Sequence, residues 1–237
     1  MDGQAEGQAK GPAEDQAQDY EGQAKPTFLN LSEEKRHRIV DAATREFSEK
    51  GYGRASLNQI VGEAGIAKGS IYQYFPDKKG LFLYTFDAAV KIIRATLKRV
   101  KAGSSEADFF ERVRRSLLAG FDFSRKHPRI YAAYLRVVFD ADAPLRDELL
   151  RRIRLFSLDY LSGLAEEGLR RGELREGLKP AEVAFFLDAV MDRMLQAYSM
   201  PGLDSGLGLH GAPRERLEEW AERFVDLLRR GLGREGR

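Results

Sequence analysis

Apolar residues recur every three to four positions through most of this chain, which is the spacing of one face of an α-helix. Ile39, Ala43 and Phe47 begin the series, and Ser32 precedes them as a typical N-cap. Later stripes with the same period cover residues 110–121, 130–138, 145–164, 183–198 and 217–228. Runs of β-branched residues are few, and no Asn-Gly hairpin turn separates the stripes. The pattern predicts an all-α protein.

The segment 56–75 predicts two short helices with a tight turn between them. Ser56 and Gln59 form a capping-box pattern at the start of the first helix. Glycines at both ends of residues 62–65 break the apolar period and favour a turn, because glycine adopts positive φ at little cost. The second helix is predicted over residues 67–75, where a proline follows.

The second short helix has one apolar face and one polar face. Ile71 and Phe75 face the first helix, whereas Gly69 and Gln73 face away from it. Glycine permits close backbone approach, and Gln, Lys and Tyr side chains reach base edges or phosphates. This face suits the major groove of DNA, although spacing alone equally allows a plain surface helical hairpin.

Specific residues in and around this segment resemble the N-terminal DNA-binding domain of TetR-family transcriptional regulators. They are Phe47, the pair Gly51-Tyr52, the turn at residues 60–65, the string KGSIYQYF at residues 68–75, and Lys78. The resemblance extends over about residues 32–101. One departure is Ala67, because the family often has serine there as the N-cap of its recognition helix, and such a cap contributes about 0.5–2 kcal/mol.

The resemblance implies a set of DNA contacts. The residues expected at phosphates are Ser56, Ser70, Tyr74 and Lys78, and those expected at base edges or in the groove are Asn58, Lys68, Gly69, Tyr72 and Gln73. For Tyr72 and Tyr74, partial packing in the core is an alternative.

The expected organisation has four parts. Residues 1–31 are predicted to be a disordered, low-complexity acidic tail, because a Gly-Gln-Ala theme repeats there and little is apolar. Residues 32–78 would form a three-helix helix-turn-helix DNA-binding domain, and residues 79–101 a linking helix. Residues 102–237 would form a helical effector-binding and dimerisation domain.

In the TetR family, the last two long helices pair with their copies in a four-helix bundle. By analogy, residues 180–200 and 214–230 are the expected interface of a homodimer. The alternative is that these apolar stripes pack within their own subunit.

Family members also bind small, often apolar or aromatic molecules among the C-terminal helices. The residues expected to line such a pocket are Phe121, Tyr131, Tyr134, Phe156, Tyr160, Phe185 and Met191. Ordinary core packing is the alternative for each of them, because a helical core requires aromatic residues at this spacing. Polar groups that would orient a ligand are Asp122, Asp159, Asp188 and Arg193.

Charge is distributed unevenly along the chain. The overall net charge is only +2, yet residues 32–101 carry 14 Lys and Arg against 8 Asp and Glu. This excess of +6 lies on the predicted DNA-binding segment, as phosphate binding requires, although a solvated face of mixed charge would also produce it. Cysteine is absent, and neither a signal peptide nor a membrane-spanning run is evident, so a cytoplasmic location is expected.

The sequence gives little support to an enzymatic function. Residues 206–211 match GxGxxG, but no strand precedes them, and residues 32–35 match SxxK without its companion motifs. His37, His127 and His210 are too far apart in sequence for a local metal-ligand pair. We therefore expect no enzyme activity, no cofactor and no metal.

The sequence thus predicts a ligand-responsive, sequence-specific DNA-binding transcriptional regulator. As the resemblance implies, it would be a repressor that releases a near-palindromic operator when a small apolar or aromatic molecule binds the C-terminal domain. A constitutive DNA-binding protein, an activator, and a helical enzyme or carrier with a coincidental head remain alternatives.

Overall fold

The computed structural model describes residues 23–141, 143 and 146–233. Within these ranges the secondary structure consists of α-helices and short 3-10 turns, and a lone β-bridge joins Leu174 to Gly233. The α-helices are α1 (Pro26–Leu29), α2 (Glu33–Arg54), α3 (Leu57–Ala64), α4 (Ser70–Tyr74), α5 (Lys78–Ala102), α6 (Phe109–Lys126), α7 (Pro128–Phe139), α8 (Arg146–Arg170), α9 (Pro180–Ser199) and α10 (Arg214–Leu232). The predicted all-α class is confirmed.

The N-terminal helices pack around a core that the apolar stripes supply. Ile39 and Phe47 from α2, Ile60 from α3, and Ile71 and Phe75 beside α4 are all buried in it. The first turns of α5 add further apolar residues to the same cluster. Helices α1–α4 and the start of α5 therefore form one unit, which we call the head.

Local signals in the sequence set several helix ends. The Ser32 side chain accepts a hydrogen bond from the backbone of Lys35 and caps α2, and Asp77 caps α5 through the backbone of Gly80. Gly51 has a φ of 71° and turns the chain at the end of α2, and Gly65 does the same after α3 with a φ of 64°.

The boundary drawn before Ser32 is wrong, because ordered structure begins earlier. Helix α1 lies within the stretch assigned to the acidic tail, and its Phe28 is fully buried in the head core. Phe28 packs on the rings of Phe75 at 4.7 Å and Tyr84 at 5.2 Å. Burial of this side chain contributes about 1.5–3 kcal/mol, and hydrogen bonds from Lys25 and Thr27 to the backbone of α4 also hold the short segment. Residues 1–22 of the predicted tail lie outside the described residues.

The remaining helices form a second unit, which we call the body. Its core contains buried residues from α6, α8, α9 and α10, such as Phe110, Leu117, Leu164, Leu187 and Phe224. Helix α5 runs from the head core into contact with α6, and α7 packs along α2. Pro180, the first residue of a predicted helix, begins α9, and Pro128 begins α7, while residues 144–145 lie outside the described ranges. No helix in the described part of the chain is both long and apolar enough to cross a membrane.

Candidate DNA interface and ligand cavity

Helices α3 and α4 form the predicted helix-turn-helix, but α4 is shorter than the sequence suggested. The expected helix over residues 67–75 is a five-residue helix with Gly69 at its N-cap position. The backbone of Ser70 bonds to the carbonyl of Ala67 at 2.9 Å, which is the reach of a turn rather than of an α-helix. The N-cap position of α4 is therefore Gly69 and not residue 67. The alanine at position 67 consequently does not remove a capping side chain from this helix.

The predicted capping box at the start of α3 is also absent. Ser56 occupies the N-cap position, but its side chain makes no capping hydrogen bond. Its backbone N–H instead donates to Oε1 of Glu46 in α2 at 2.9 Å. Helix α2 thus fixes the entry to α3, and the hydroxyl of Ser56 makes no bond that holds it to the helix start.

The outward face of the helix-turn-helix contains most of the predicted groove contacts. Tyr72 is 56% exposed, and the other exposed positions among the predicted contacts are Asn58, Lys68, Gly69 and Gln73. Ser56 and Ser70 are half-buried at its edge. The exposure of these residues is compatible with the predicted contacts to DNA.

Tyr74 differs from its neighbour Tyr72, because only 6% of it is exposed. Its ring lies 6.0 Å from that of Phe28, and the ammonium of Lys35 lies 5.9 Å from the ring centre. The alternative of core packing therefore applies to Tyr74 and not to Tyr72.

Lys78, the predicted phosphate contact at the start of α5, binds the protein itself. Its ammonium donates to the carbonyls of Gly53 at 3.1 Å and Ala55 at 2.8 Å, and lies 4.8 Å from the centre of the Tyr52 ring. Burial, and secondarily the nearby Asp77, raise the pKa of Tyr52, which leaves its ring neutral beneath the cation. Lys78 holds the end of α2 in place, and an ammonium retains a third donor for other partners.

Sequence reasoning missed the way in which α1 holds α4. The backbone N–H of Lys25 donates to the carbonyl of Tyr74 at 2.8 Å, and its ammonium donates to the carbonyl of Tyr72, also at 2.8 Å. The hydroxyl of Thr27 donates to the carbonyl of Gln73. A helix C-terminus leaves its last carbonyls without partners, so residues 25–28 cap α4 and we call them the clamp. Pro26 followed by the apolar residues Phe28, Leu29 and Leu31 was the available signal.

A cavity of about 170 Å³ lies in the body, among α5, α6, α7, α8 and α9. Four of the seven predicted pocket residues line it, namely Tyr131, Tyr134, Tyr160 and Met191. Residues of α5 that sequence reasoning did not select, including Ile93, Thr96 and Leu97, form its wall nearest the head.

The other three predicted pocket residues do not line this cavity. Phe121 is buried in the body core, where it packs edge-on against Tyr198 at 5.4 Å. Phe156 lies under the guanidinium of Arg94 at 5.0 Å. Phe185 is 69% exposed, because it faces outward from α9. The helical period placed these rings on apolar faces but could not show which neighbour covers each face.

One wall of the cavity is polar, with Arg154 of α8 at its centre. The guanidinium donates to Asp188 at 3.0 Å, to Asp192 at 2.6 Å and to the hydroxyl of Tyr134 at 2.9 Å. Tyr134 in turn donates to Asp192 at 2.9 Å. Asp188 was predicted as a polar pocket residue, whereas Arg154 and Asp192 were missed. We call Arg154, Asp188 and Asp192 the charged triad.

Burial affects the three cavity tyrosines. It raises the pKa of Tyr131 and of Tyr134, and the nearby carboxylate of Asp192 raises both further. It also raises the pKa of Tyr160, whose hydroxyl shares a 2.8 Å hydrogen bond with Ser116. All three are therefore neutral hydroxyls at physiological pH.

Three other predicted polar residues do not contribute to the cavity. Asp122 pairs with Arg214 at 2.7 Å and with Arg125 at 3.3 Å. Asp159 and Arg193 are exposed outside the cavity wall.

Outer faces of α9 and α10, the helices predicted to form the dimer interface, are apolar in part. Phe185 and Phe186 on α9 are exposed, and Leu227 on α10 is 70% exposed. The inner stripes of the same helices, with Val183, Leu187 and Leu228, are buried within the subunit. Each helix thus has one covered and one uncovered apolar face.

Comparisons with known proteins agree with this architecture. A sequence model described as bacterial regulatory proteins of the tetR family matches residues 39–85, which include α3 and α4. A crystal structure of a TetR family transcriptional regulator from Chloroflexus aurantiacus is 31% identical, covers 90% of this chain and 100% of its own, and superimposes with a TM-score of 0.68.

Two further relatives are more distant. The probable acrEF/envCD operon repressor of Escherichia coli is 23% identical over 169 residues, which are 70% of this chain and 76% of that protein. The transcriptional regulator FadR from Bacillus subtilis, solved in complex with stearoyl-CoA, is 21% identical, covers 81% of this chain and 96% of its own, and has a TM-score of 0.64. These relatives are regulators of transcription and not enzymes. With its helix-turn-helix head and helical body, the chain belongs to the TetR family of transcriptional regulators.

Proposed function

We propose that this regulator is a ligand-released repressor, which binds a near-palindromic operator as a homodimer and leaves it when a small apolar or aromatic molecule enters the body cavity. The observation that carries the proposal is the position of α5 and α7. Both helices line the cavity, and both also pack on the head. A ligand that displaces either helix therefore moves the surface that meets DNA.

Helix α7 connects the cavity to the head through polar contacts. Its Tyr131 and Tyr134 line the cavity, and Arg136, which lies within two turns of them on the same helix, contacts the head. The guanidinium of Arg136 donates to the carbonyl of Ser48 at 3.3 Å and to that of Glu49 at 3.0 Å, near the end of α2. Cations near a helix C-terminus also interact favourably with the helix dipole.

Helix α5 makes the connection through apolar packing. Its Ile93 lines the cavity, while Leu81 and Phe82 at its start belong to the head core. A smaller void of about 30 Å³ lies between these two regions and is lined by Phe47 of α2 and by Ile93, among others. Loose packing at this point permits a shift of α5, because close-packed interiors resist displacement and voids relax that resistance.

In a homodimer a two-fold axis relates the two heads, so the operator that they bind is expected to be palindromic. The uncovered apolar faces with Phe185 and Leu227 supply surface for pairing α9 and α10 with their copies. A two-fold dimer presents its recognition helices to half-sites about one helical turn, roughly 34–36 Å, apart. Repression is supported by the Escherichia coli relative, a probable operon repressor, and a small-molecule effector by the FadR complex with stearoyl-CoA.

Release of the operator follows from the thermodynamic linkage between ligand binding and DNA binding. A ligand shifts DNA binding only by the difference between its affinities for the DNA-bound and free conformations. A tenfold loss of operator affinity therefore requires a ligand that prefers the free conformation by about 1.4 kcal/mol.

The experiment is selection of bound sequences from random duplex DNA, with the full chain at about physiological salt. The variant Tyr72→Ala/Gln73→Ala removes two exposed groups of α4, and Leu207→Ala, in an exposed loop of the body, is the matched control. A palindromic consensus that the double variant loses and the control keeps supports the proposal. Weak, salt-sensitive binding without a consensus, unchanged in the double variant, contradicts it.

A second step tests release. The selected operator is titrated with protein in the presence of a library of small apolar and aromatic molecules. A compound that lowers operator affinity in the unaltered protein, and fails in a Met191→Trp variant with a filled cavity, supports a ligand-released repressor. Operator binding that no compound changes favours a constitutive DNA-binding protein.

A further inference from the structure

We propose that the body cavity takes an organic cation, with an apolar or aromatic body and an amino group placed between the Tyr131 hydroxyl and the charged triad. This inference deepens the proposed function by giving the chemical class of the effector, and it rests on that function only for the link to DNA release. Three features of the cavity support it.

The charged triad carries an excess of negative charge. Two carboxylates, Asp188 and Asp192, face the single guanidinium of Arg154, and their side chains are only 14% and 15% exposed. One negative charge therefore has no cation to match it within the triad. Charges removed from water are costly unless paired, so a ligand cation would offset the cost of the unmatched carboxylate.

Other charged groups near the cavity do not correct this imbalance. Arg112 of α6 acts on the Tyr160 hydroxyl but does not line the cavity, and Arg94 of α5 lies over the ring of Phe156. Among the residues described, Arg154 is the only Lys or Arg in the cavity wall. A ligand carboxylate would have to compete with Asp188 and Asp192 for that guanidinium.

The Tyr131 hydroxyl is the second feature. Tyr131 is 7% exposed and lines the cavity, and its hydroxyl finds no hydrogen-bond partner anywhere in the described ranges. A buried hydroxyl left in this state carries a desolvation cost that no hydrogen bond offsets. Because this hydroxyl is neutral, its oxygen keeps lone pairs that an N–H group of a ligand can donate to.

The carboxylates also retain acceptor capacity. Asp188 accepts from Arg154 and Ser157, and Asp192 accepts from Arg154, Tyr134 and Gln196. A carboxylate offers about four lone-pair sites, so neither residue is saturated. An ammonium group has three donors, which match one tyrosine oxygen and two carboxylates.

The rest of the wall selects an apolar body. It is formed by Ile93, Leu97, Phe123, Ile130, Met191 and Leu195. The volume of about 170 Å³ is close to that of apolar cavities that hold one aromatic ring. A single-ring or short-chain amine therefore fits without expansion of the site.

The test compares three probes of nearly equal size, 2-phenylethylamine, 2-phenylethanol and phenylacetate, by calorimetric titration and by thermal unfolding of the full chain. We expect the amine to bind at least about tenfold more tightly than the alcohol, which can share the contact with Tyr131 but carries no charge, and phenylacetate to bind more weakly than both. Equal affinity for the amine and the alcohol overturns the proposal, and so does tighter binding of phenylacetate.

Two variants locate the amino group. Tyr131→Phe removes only the unpaired hydroxyl, so we expect an unchanged or higher Tm together with at least a fivefold loss of amine affinity and a smaller loss of alcohol affinity. Asp192→Asn should likewise weaken amine binding, and Asp159→Asn, an exposed carboxylate on α8, is the control that should not. Amine affinity that Tyr131→Phe leaves intact overturns the placement.

Operator binding separates this inference from the proposed function. Selective amine binding that leaves operator affinity unchanged supports the cation site and contradicts the ligand-released repressor. Operator release by phenylacetate but not by the amine supports the repressor and overturns the cation site.

Discussion

Truncation of Phe28 to alanine tests whether α1 is a working part of the DNA-binding head. Phe28 is fully buried and contacts the rings of Tyr74, Phe75 and Tyr84. Replacement of a buried phenylalanine by alanine destabilises proteins by about 3–5 kcal/mol, through lost transfer energy and the remaining cavity. For a chain of this length the corresponding fall in Tm is roughly 6–20 °C.

The same substitution should weaken operator binding below the unfolding temperature. Phe28 anchors the clamp, whose hydrogen bonds hold the carbonyls of Tyr72 and Gln73. If the clamp is released, α4 must be ordered again when DNA binds. A cost of about 1.4 kcal/mol for that ordering lowers operator affinity tenfold.

The assays are thermal unfolding by circular dichroism, operator titration by fluorescence anisotropy, and amide hydrogen exchange over residues 70–74. Leu29→Ala is the matched control, because it lies in the same short helix but is exposed. We expect Phe28→Ala to lower Tm, operator affinity and protection of residues 70–74, whereas the control leaves all three within error. Equal effects of the two variants, or unchanged protection of α4 in Phe28→Ala, would refute the reasoning.

Three further predictions follow from other contacts. Arg136→Ala removes the hydrogen bonds from α7 to the end of α2, so operator affinity in the presence of an effector should change less than in the unaltered protein; equal release would contradict the role of α7. Leu227→Glu places a charge on the exposed face of α10 and should yield a monomer by sedimentation, whereas an unchanged mass would exclude this face from the dimer interface. Hydrogen bonds from Arg114, and then from Arg115, hold the pKa of Glu111 at about 2, below its usual 4.5. Its stabilising contribution is complete above pH 4.5 and is lost as the pH falls towards 2, so Glu111→Gln should flatten the acid-unfolding curve in that range; an unaltered curve would refute it.

Much of the fold was predictable from sequence because helical periodicity and caps are local signals. Ser32, Asp77 and Pro180 mark the starts of α2, α5 and α9 in the structure as they do in the sequence. The position of α1 was not predictable in this way. Phe28 is one aromatic residue in a polar stretch, and its burial depends on rings that lie about 50 residues away in the chain.

The two candidate sites also differ in how far the sequence predicts them. The outward face of α4 follows from spacing within one helix, and Tyr72 and Gln73 are exposed as predicted. The cavity wall depends on several helices, so Phe185 was wrongly placed there and Arg154 was missed. A stripe of apolar residues gives the direction of a face, but the partner that covers it is set by tertiary packing.

The link between α7 and the head uses backbone oxygens of α2 as its acceptors. Arg136 binds the carbonyls of Ser48 and Glu49 rather than their side chains. Every amino acid carries that carbonyl, so a substitution at the exposed position 49 leaves the acceptor in place. On the α7 side, the contact depends on the guanidinium of Arg136 alone, and no other side chain has the same planar pair of N–H donors. Random mutagenesis should therefore find position 49 permissive and position 136 intolerant, although the two residues form the same contact.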